Sequence, residues 1–262
     1  MDVLARHHVT RQGRIGAPTM VFAHGFGCDQ RMWRHVAPAF ADDHEVVLFD
    51  HLGAGRSDLD AFDPERHASL DGYADDVVEL ILALDLHDVR FVGHSVSAMI
   101  GALAAIRIPE RFDALVMVSP SPRYVDTDDY RGGFSREDID ELLATMASNE
   151  LGWTSGLATM VAGAPHPEVA EELDNSFCRT DPAISRHFAR TVFLADNRDD
   201  LANVTVRSLI LQVREDMIAP IEVGHYLHEQ LPDSELVVLD AVGHCPHLSA
   251  PTATVDAIRS FV

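Results

Sequence analysis

The sequence predicts an α/β protein: a mostly parallel central sheet with helices on both faces and an inserted helical cap. Short apolar runs alternate with helical patterns along most of the chain, the signature of strands joined by crossover helices. One interval, between Ser119 and Arg207, is far longer than a single crossover needs, so something is inserted there. The 262 residues, 47% of them hydrophobic, suffice for one large domain with a sizeable core and not for two.

Strands are expected near residues 3–11, 19–23, 45–50, 88–93, 113–119, 207–213 and 234–240. Tyr73, Val77, Leu80, Ile81 and Leu84 recur at helical spacing and mark a crossover helix before the fourth strand. Within the insertion, Ser135 with Asp138 three residues on makes a helix start, followed by Ile139, Leu142, Leu143 and Met146. Pro167 opens a helix carrying Val169, Leu173 and Phe177, and Asp181-Pro182 opens one carrying Ile184, Phe188 and Val192. With the Gly152 to Ala164 segment, residues 121–199 read as the cap, and residues 1–120 and 200–262 as the core. A helix near Ile221 to Leu231 separates the last two strands.

The chemistry centres on Gly93-His94-Ser95-Val96-Ser97, between the apolar run Val89 to Val92 and the helical stretch Ala98 to Leu103. A small-residue turn of this kind holds a serine hydroxyl out as a nucleophile. Residues two before and two after the serine must be small, which Gly93 satisfies, while Ser97 stands where glycine is usual. A serine nucleophile needs a base, and the base an orienting acid. Asp216 follows the strand Ser208 to Val213, and His244 follows Glu235 to Leu239, so both lie just beyond strand ends, where open α/β sheets bind ligands. The order Ser95, Asp216, His244 is the one used by strand–turn–helix serine hydrolases. Glu215 and Asp126 compete as the acid; His247 competes as the base but falls where the last helix should begin.

Backbone donors for an oxyanion are expected from Val96, after the serine, and from Phe26 in the loop His24-Gly25-Phe26-Gly27. Phe26, Phe134, Leu142, Trp153, Leu157, Met160, Phe193, Ile218 and Cys245 are candidates to line an apolar pocket beneath the cap, suited to a small hydrophobic ester or lactone.

Composition narrows the alternatives. The net charge of −22 argues against nucleic acid or an anionic membrane as partner. All 20 basic residues are arginine, which excludes a Ser-Lys dyad, a Schiff-base lysine and a P-loop lysine. Cys28, Cys178 and Cys245 form neither a disulfide framework nor a C-x-x-C motif and suit a reducing cytoplasm. No signal peptide or bilayer-spanning stretch is expected. His244-Cys245-Pro246-His247 has no third clustered ligand, so no metal or other cofactor is expected. Gly53-Ala54-Gly55-Arg56-Ser57-Asp58 lacks the third glycine of a dinucleotide fingerprint and reads as a turn.

Longer strings carry a more specific likeness: His24 to Gln30, Phe91 to Gly101, Met117 to Tyr124, Gly132-Gly133-Phe134 and Gly243 to Ser249. Over essentially the whole chain the sequence resembles the RsbQ-type α/β-hydrolases, related to the plant karrikin and strigolactone receptors. Ser97 is similar to the plant version of the turn, whereas Cys28 and Cys245-Pro246 look like the bacterial branch. The resemblance implies an α/β-hydrolase fold, a four-helix cap over an apolar pocket, a Ser95-His244-Asp216 triad and slow hydrolysis tied to signalling. In the bacterial branch the implied partner is a PAS-domain phosphatase, and in the plant branch an F-box protein and repressors. Two functions are therefore expected to compete: hydrolysis of a small ester or lactone, and slow-turnover reception of a small molecule with ligand-dependent partner binding.

Overall fold

The computed structural model describes residues 2–148 and 152–262. Seven strands form one sheet: β1 (Thr10–Gly13), β2 (Thr19–Ala23), β3 (Glu45–Phe49), β4 (Val89–His94), β5 (Phe112–Val118), β6 (Ser208–Glu215) and β7 (Ser234–Val242). Their spatial order is β1-β3-β2-β4-β5-β6-β7. Only β1 runs antiparallel, against β3; every other pairing is parallel. Every residue of β2 and β3 is buried, as strands covered on both faces must be, which is why they read as unbroken apolar runs.

The helices are α1 (Val3–Arg6), α2 (Leu70–Ala83), α3 (Val96–Arg107), α4 (Arg136–Ser148), α5 (Thr154–Ala162), α6 (Pro167–Phe177), α7 (Pro182–Phe193), α8 (Ile221–Gln230), α9 (Pro246–Ser249) and α10 (Pro251–Phe261). Two apolar clusters divide the interior. One, around Tyr73, Leu80, Ile81, Phe91 and Met99, continues into the interval between β5 and β6. The other, around Phe22, Trp33, Phe40 and Ile258, fills the opposite face of the sheet.

The expected strand at residues 3–11 is corrected. Asp2 accepts a hydrogen bond from Leu4 N and caps α1, and His8 then turns the chain at φ 45°, so pairing begins only at Thr10. The other six strands begin within a residue of their expected positions.

Helices α4 to α7 lie between β5 and β6, where the long interval was read. Ser135 Oγ accepts from Asp138 N at 3.1 Å and Asp138 Oδ2 accepts from Ser135 N at 2.8 Å, a reciprocal cap for α4. Asp181 caps α7 by accepting from Ala183 N and Ile184 N. Among the described residues no helix is long and apolar enough to cross a membrane.

The sheet order places the site. From β2 the chain moves outward to β3, then returns to add β4 on the other side of β2, so the loops leaving β2 and β4 diverge and open a crevice at their carboxyl ends. Ligands bind open α/β sheets at this kind of switch point. The turn after β4 is tight: a Cβ on Gly93 would sit 2.4 Å from Ser97 O and 2.6 Å from its carbonyl carbon. Those atoms are backbone and cannot swing away. Gly93→Ala is therefore expected to destabilise the fold by about 1–3 kcal/mol, lowering the melting temperature by several degrees in a thermal unfolding scan; an unchanged melting temperature would contradict the close packing.

Candidate active site

Ser95 occupies the turn between β4 and α3 at φ 56°, ψ −121°, a conformation L-residues rarely adopt. Parallel pairing on both sides of β4 and the first turn of α3 over-determine it, so the strain persists. Ser97, the departure from glycine, has a use here. Its hydroxyl donates to His24 O and lies 2.7 Å from His51 Nε2, tying the serine turn to the loop after β2 that carries Phe26.

The fold brings Ser95, Asp216 and His244 together. His244 Nε2 lies 2.8 Å from Ser95 Oγ, and His244 Nδ1 lies 2.7 Å from Asp216 Oδ2. Asp216 arrives just after β6, and its other oxygen accepts from Ile218 N at 2.8 Å and Ala219 N at 3.1 Å, which fixes the carboxylate plane. His244 follows β7 through Gly243, whose φ of 92° leaves no place for a side chain: a Cβ there would sit 2.1 Å from Ala162 O. His244 N donates to Val161 O on α5, so a helix of the β5–β6 interval anchors the His244 backbone.

The competing residues fall elsewhere. The Asp126 carboxylate accepts from Gly132 N at 2.7 Å and Gly133 N at 2.8 Å, and Glu215 is exposed. His247 is buried on α9 against Trp33, with ring centroids 4.6 Å apart. Burial lowers its pKa to about 3, so it stays neutral.

Tyr124 was not singled out from the sequence. Its hydroxyl lies 3.1 Å from Ser95 Oγ. With Nδ1–H directed to Asp216, His244 Nε2 accepts the single serine proton, so the phenol must be the donor toward Ser95. Burial pushes the Tyr124 pKa far up, and the phenol keeps its proton. The signal was its position, a few residues beyond the carboxyl end of β5, the neighbour of the strand that leads into Ser95.

A narrow apolar cavity of about 30 Å³ opens above Ser95. Phe26, Leu157, Phe193, Ile218 and Cys245 line it as expected, joined by Tyr124, Val161, Leu173, Phe177 and Val192. Four expected lining residues are corrected. Met160 is 38% exposed because the inward stripe of α5 runs through Leu157 and Val161, four apart, and Met160 falls off it. Trp153 lies behind the wall, stacked on Phe177 at 5.4 Å and reaching Phe26 at 6.2 Å. Phe134 is spent on a backbone bridge to the Tyr124–Val125 segment, and Leu142 packs half-buried against the core from α4. Phe26 sits among Trp153, Phe177, Phe188 and Phe193, with centroids 5.7–6.2 Å away.

A profile of the alpha/beta hydrolase family matches residues 20–257. The chain belongs to that family. It is 40% identical over 249 residues to Karrikin insensitive 2 receptor IA of Petunia hybrida, covering 94% of this chain and 91% of the relative. It is 39% identical over 239 residues to a strigolactone esterase of Pisum sativum, covering 90% of this chain and 90% of the relative. Among solved structures, olei00960, a hydrolase from Oleispira antarctica, superposes with a TM-score of 0.97 at 40% identity, covering 99% of this chain and 96% of that one. The likeness to karrikin and strigolactone receptors read from the sequence is thus borne out for this α/β hydrolase.

Proposed function

We propose that this α/β hydrolase cleaves a small hydrophobic ester or lactone by acyl transfer through Ser95. The observation that carries the reading is the unbroken hydrogen-bonded line from Asp216 through His244 to Ser95 beneath an apolar cavity. His244 takes the serine proton as Oγ attacks the carbonyl carbon, and Asp216 holds the imidazole tautomer and stabilises the imidazolium. The oxyanion is met by the N–H groups of Val96 and Phe26. Val96 opens α3, where the first-turn N–H groups have no intrahelical carbonyl. Gly25 lets the Phe26 loop approach the serine, since a Cβ there would lie 2.5 Å from His94 Nδ1 and 3.4 Å from Ser95 Cβ. Collapse of the tetrahedral intermediate expels the alcohol, protonated by His244, and water then releases the acid by the same path in reverse.

The size and lining of the cavity favour a compact substrate. For p-nitrophenyl esters, kcat/KM is expected to fall at least about tenfold from butyrate to laurate, and small lactones should compete with the short ester. Equal efficiency on laurate would contradict the assigned cavity.

A slower, receptor-like use of the same site is favoured by one observation, the 40% identity to chains named karrikin insensitive 2 receptors. In that use the helices over the cavity report occupancy to a partner, for which the RsbQ likeness implies a PAS-domain phosphatase. Free Cys28, Cys178 and Cys245 fit action in the reducing cytoplasm. Turnover near ~10 per second favours metabolism; far slower turnover with a ligand-dependent melting shift favours reception.

A further inference from the structure

We propose that His94, Cys245 and His247 form a binding site for a thiophilic cation of the Zn²⁺ and Cd²⁺ class, whose occupancy inhibits the hydrolytic site. The inhibitory half rests on the reading above; the binding half does not.

The sequence offered only Cys245 and His247 as neighbouring ligands. The fold supplies the third from the end of β4, since His94 Nε2 lies 3.9 Å from Cys245 Sγ. One ligand atom from each of the three residues lies within 4.8 Å of the others, and all three side chains are buried. The His94 and His247 rings meet with centroids 4.4 Å apart. Three of their four ring nitrogens, His94 Nδ1 and both of His247, find no hydrogen-bond partner among the described residues. Buried polar atoms in that state cost about 1–3 kcal/mol each; a metal ion would use a lone pair of His247 that nothing else claims, while at His94 it must displace the contact of Nε2 to the His244 carbonyl.

The donor set selects the ion. One thiolate and two imidazoles suit a borderline-soft d¹⁰ cation and not Mg²⁺ or Ca²⁺, which take oxygen ligands. Tetrahedral bonds of about 2.3 Å to sulfur and 2.0 Å to nitrogen separate the two donors by about 3.5 Å, so the 3.9 Å pair needs to close by a few tenths of an ångström, and a pair as wide as 4.8 Å by about 1 Å. His94 and Cys245 also line the cavity above Ser95, which gives the ion a path.

Occupancy would act on the neighbouring chemistry through His94. Its Nε2–H donates to the His244 carbonyl at 2.9 Å. For an ion to bind Nε2 the ring proton must shift to the unpartnered Nδ1, which frees the Nε2 lone pair for the ion and breaks the hydrogen bond to His244. Cys245 gives up its thiol proton to solvent, so one proton is released per ion bound. His94 adjoins Ser95 and Cys245 adjoins His244 in the chain, so drawing the two together disturbs both ends of the 2.8 Å contact.

The test titrates the full chain with Cd²⁺ and follows the thiolate-to-cadmium charge-transfer absorption. One equivalent is expected to bind, with the band kept in the Cys28→Ala/Cys178→Ala variant and lost in Cys245→Ala. Affinity should fall about tenfold or more in His247→Phe, a ring that preserves the stack on Trp33; the single cysteine variants serve if the double one does not fold. A band that survives Cys245→Ala unchanged, or equal affinity in His247→Phe, would overturn the site. Short-ester hydrolysis should disappear in step with the band and return on chelation. Saturated binding with undiminished hydrolysis would overturn the inhibition alone, and a chain without esterase activity would still report binding through the band.

Discussion

Ser95→Ala is expected to lower kcat for an activated short-chain ester by about 10⁴–10⁶-fold while leaving ligand affinity and melting temperature nearly unchanged. Among the described residues the hydroxyl hydrogen-bonds only with His244 Nε2 and the Tyr124 hydroxyl, and the alanine methyl occupies the space of the serine Cβ. Alanine has the same difficulty at φ 56° as serine, so backbone strain does not change sign. Residual activity would come from the amides of Val96 and Phe26 and from binding alone. A loss of less than about tenfold, measured on folded variant by steady-state kinetics, would remove Ser95 from the reaction.

The second large effect is on stability in mild acid. Burial holds the imidazoles of His7, His51 and His94 below the ordinary histidine range, and holds His247 at about 3. In the unfolded chain each would titrate near ~6.5. Between that value and the lowered folded value the unfolded state binds more protons, so stability is full above the unfolded pKa and drains away as pH falls. Each group contributes at most about 1.4 kcal/mol per pH unit, and the three held furthest down, His51, His94 and His247, together approach about 4 kcal/mol per unit. Against a typical total of about 5–15 kcal/mol, the protein is expected to lose most of its stability between pH 6.5 and pH 5. Carboxylates held low by arginine partners, such as Asp196 beside Arg198 and Arg123, remain ionised through that window and do not offset the loss. Thermal unfolding at pH 7.5, 6.0 and 5.0 checks this. A melting temperature that stays flat to pH 5 contradicts it, and His247→Phe should reduce the slope.

The sequence carried the parallel sheet because strands buried on both faces, such as Thr19–Ala23 and Glu45–Phe49, have little choice of composition. It also carried which three side chains meet, because turn, strand end and chain order each restrict them independently. The cavity wall was less legible. Periodicity on α5 marks an apolar stripe but not what the stripe faces, so Met160 and Val161 exchange places between expectation and structure. Tyr124 lies in irregular chain, where no period exists to point at it, although its distance from the end of β5 was readable. The meeting of His94 with Cys245 and His247 joins positions some 150 residues apart through the pairing of strands, and no local pattern encodes it.

The most direct measurement is intact-protein and peptide mass spectrometry after exposure to a fluorophosphonate, and separately to a slowly deacylating p-nitrophenyl ester. The expected result is one adduct per chain on Ser95, absent in Ser95→Ala and slowed in His244→Ala. An adduct on another residue, or none on folded protein with the cavity accessible, would contradict acyl transfer through Ser95.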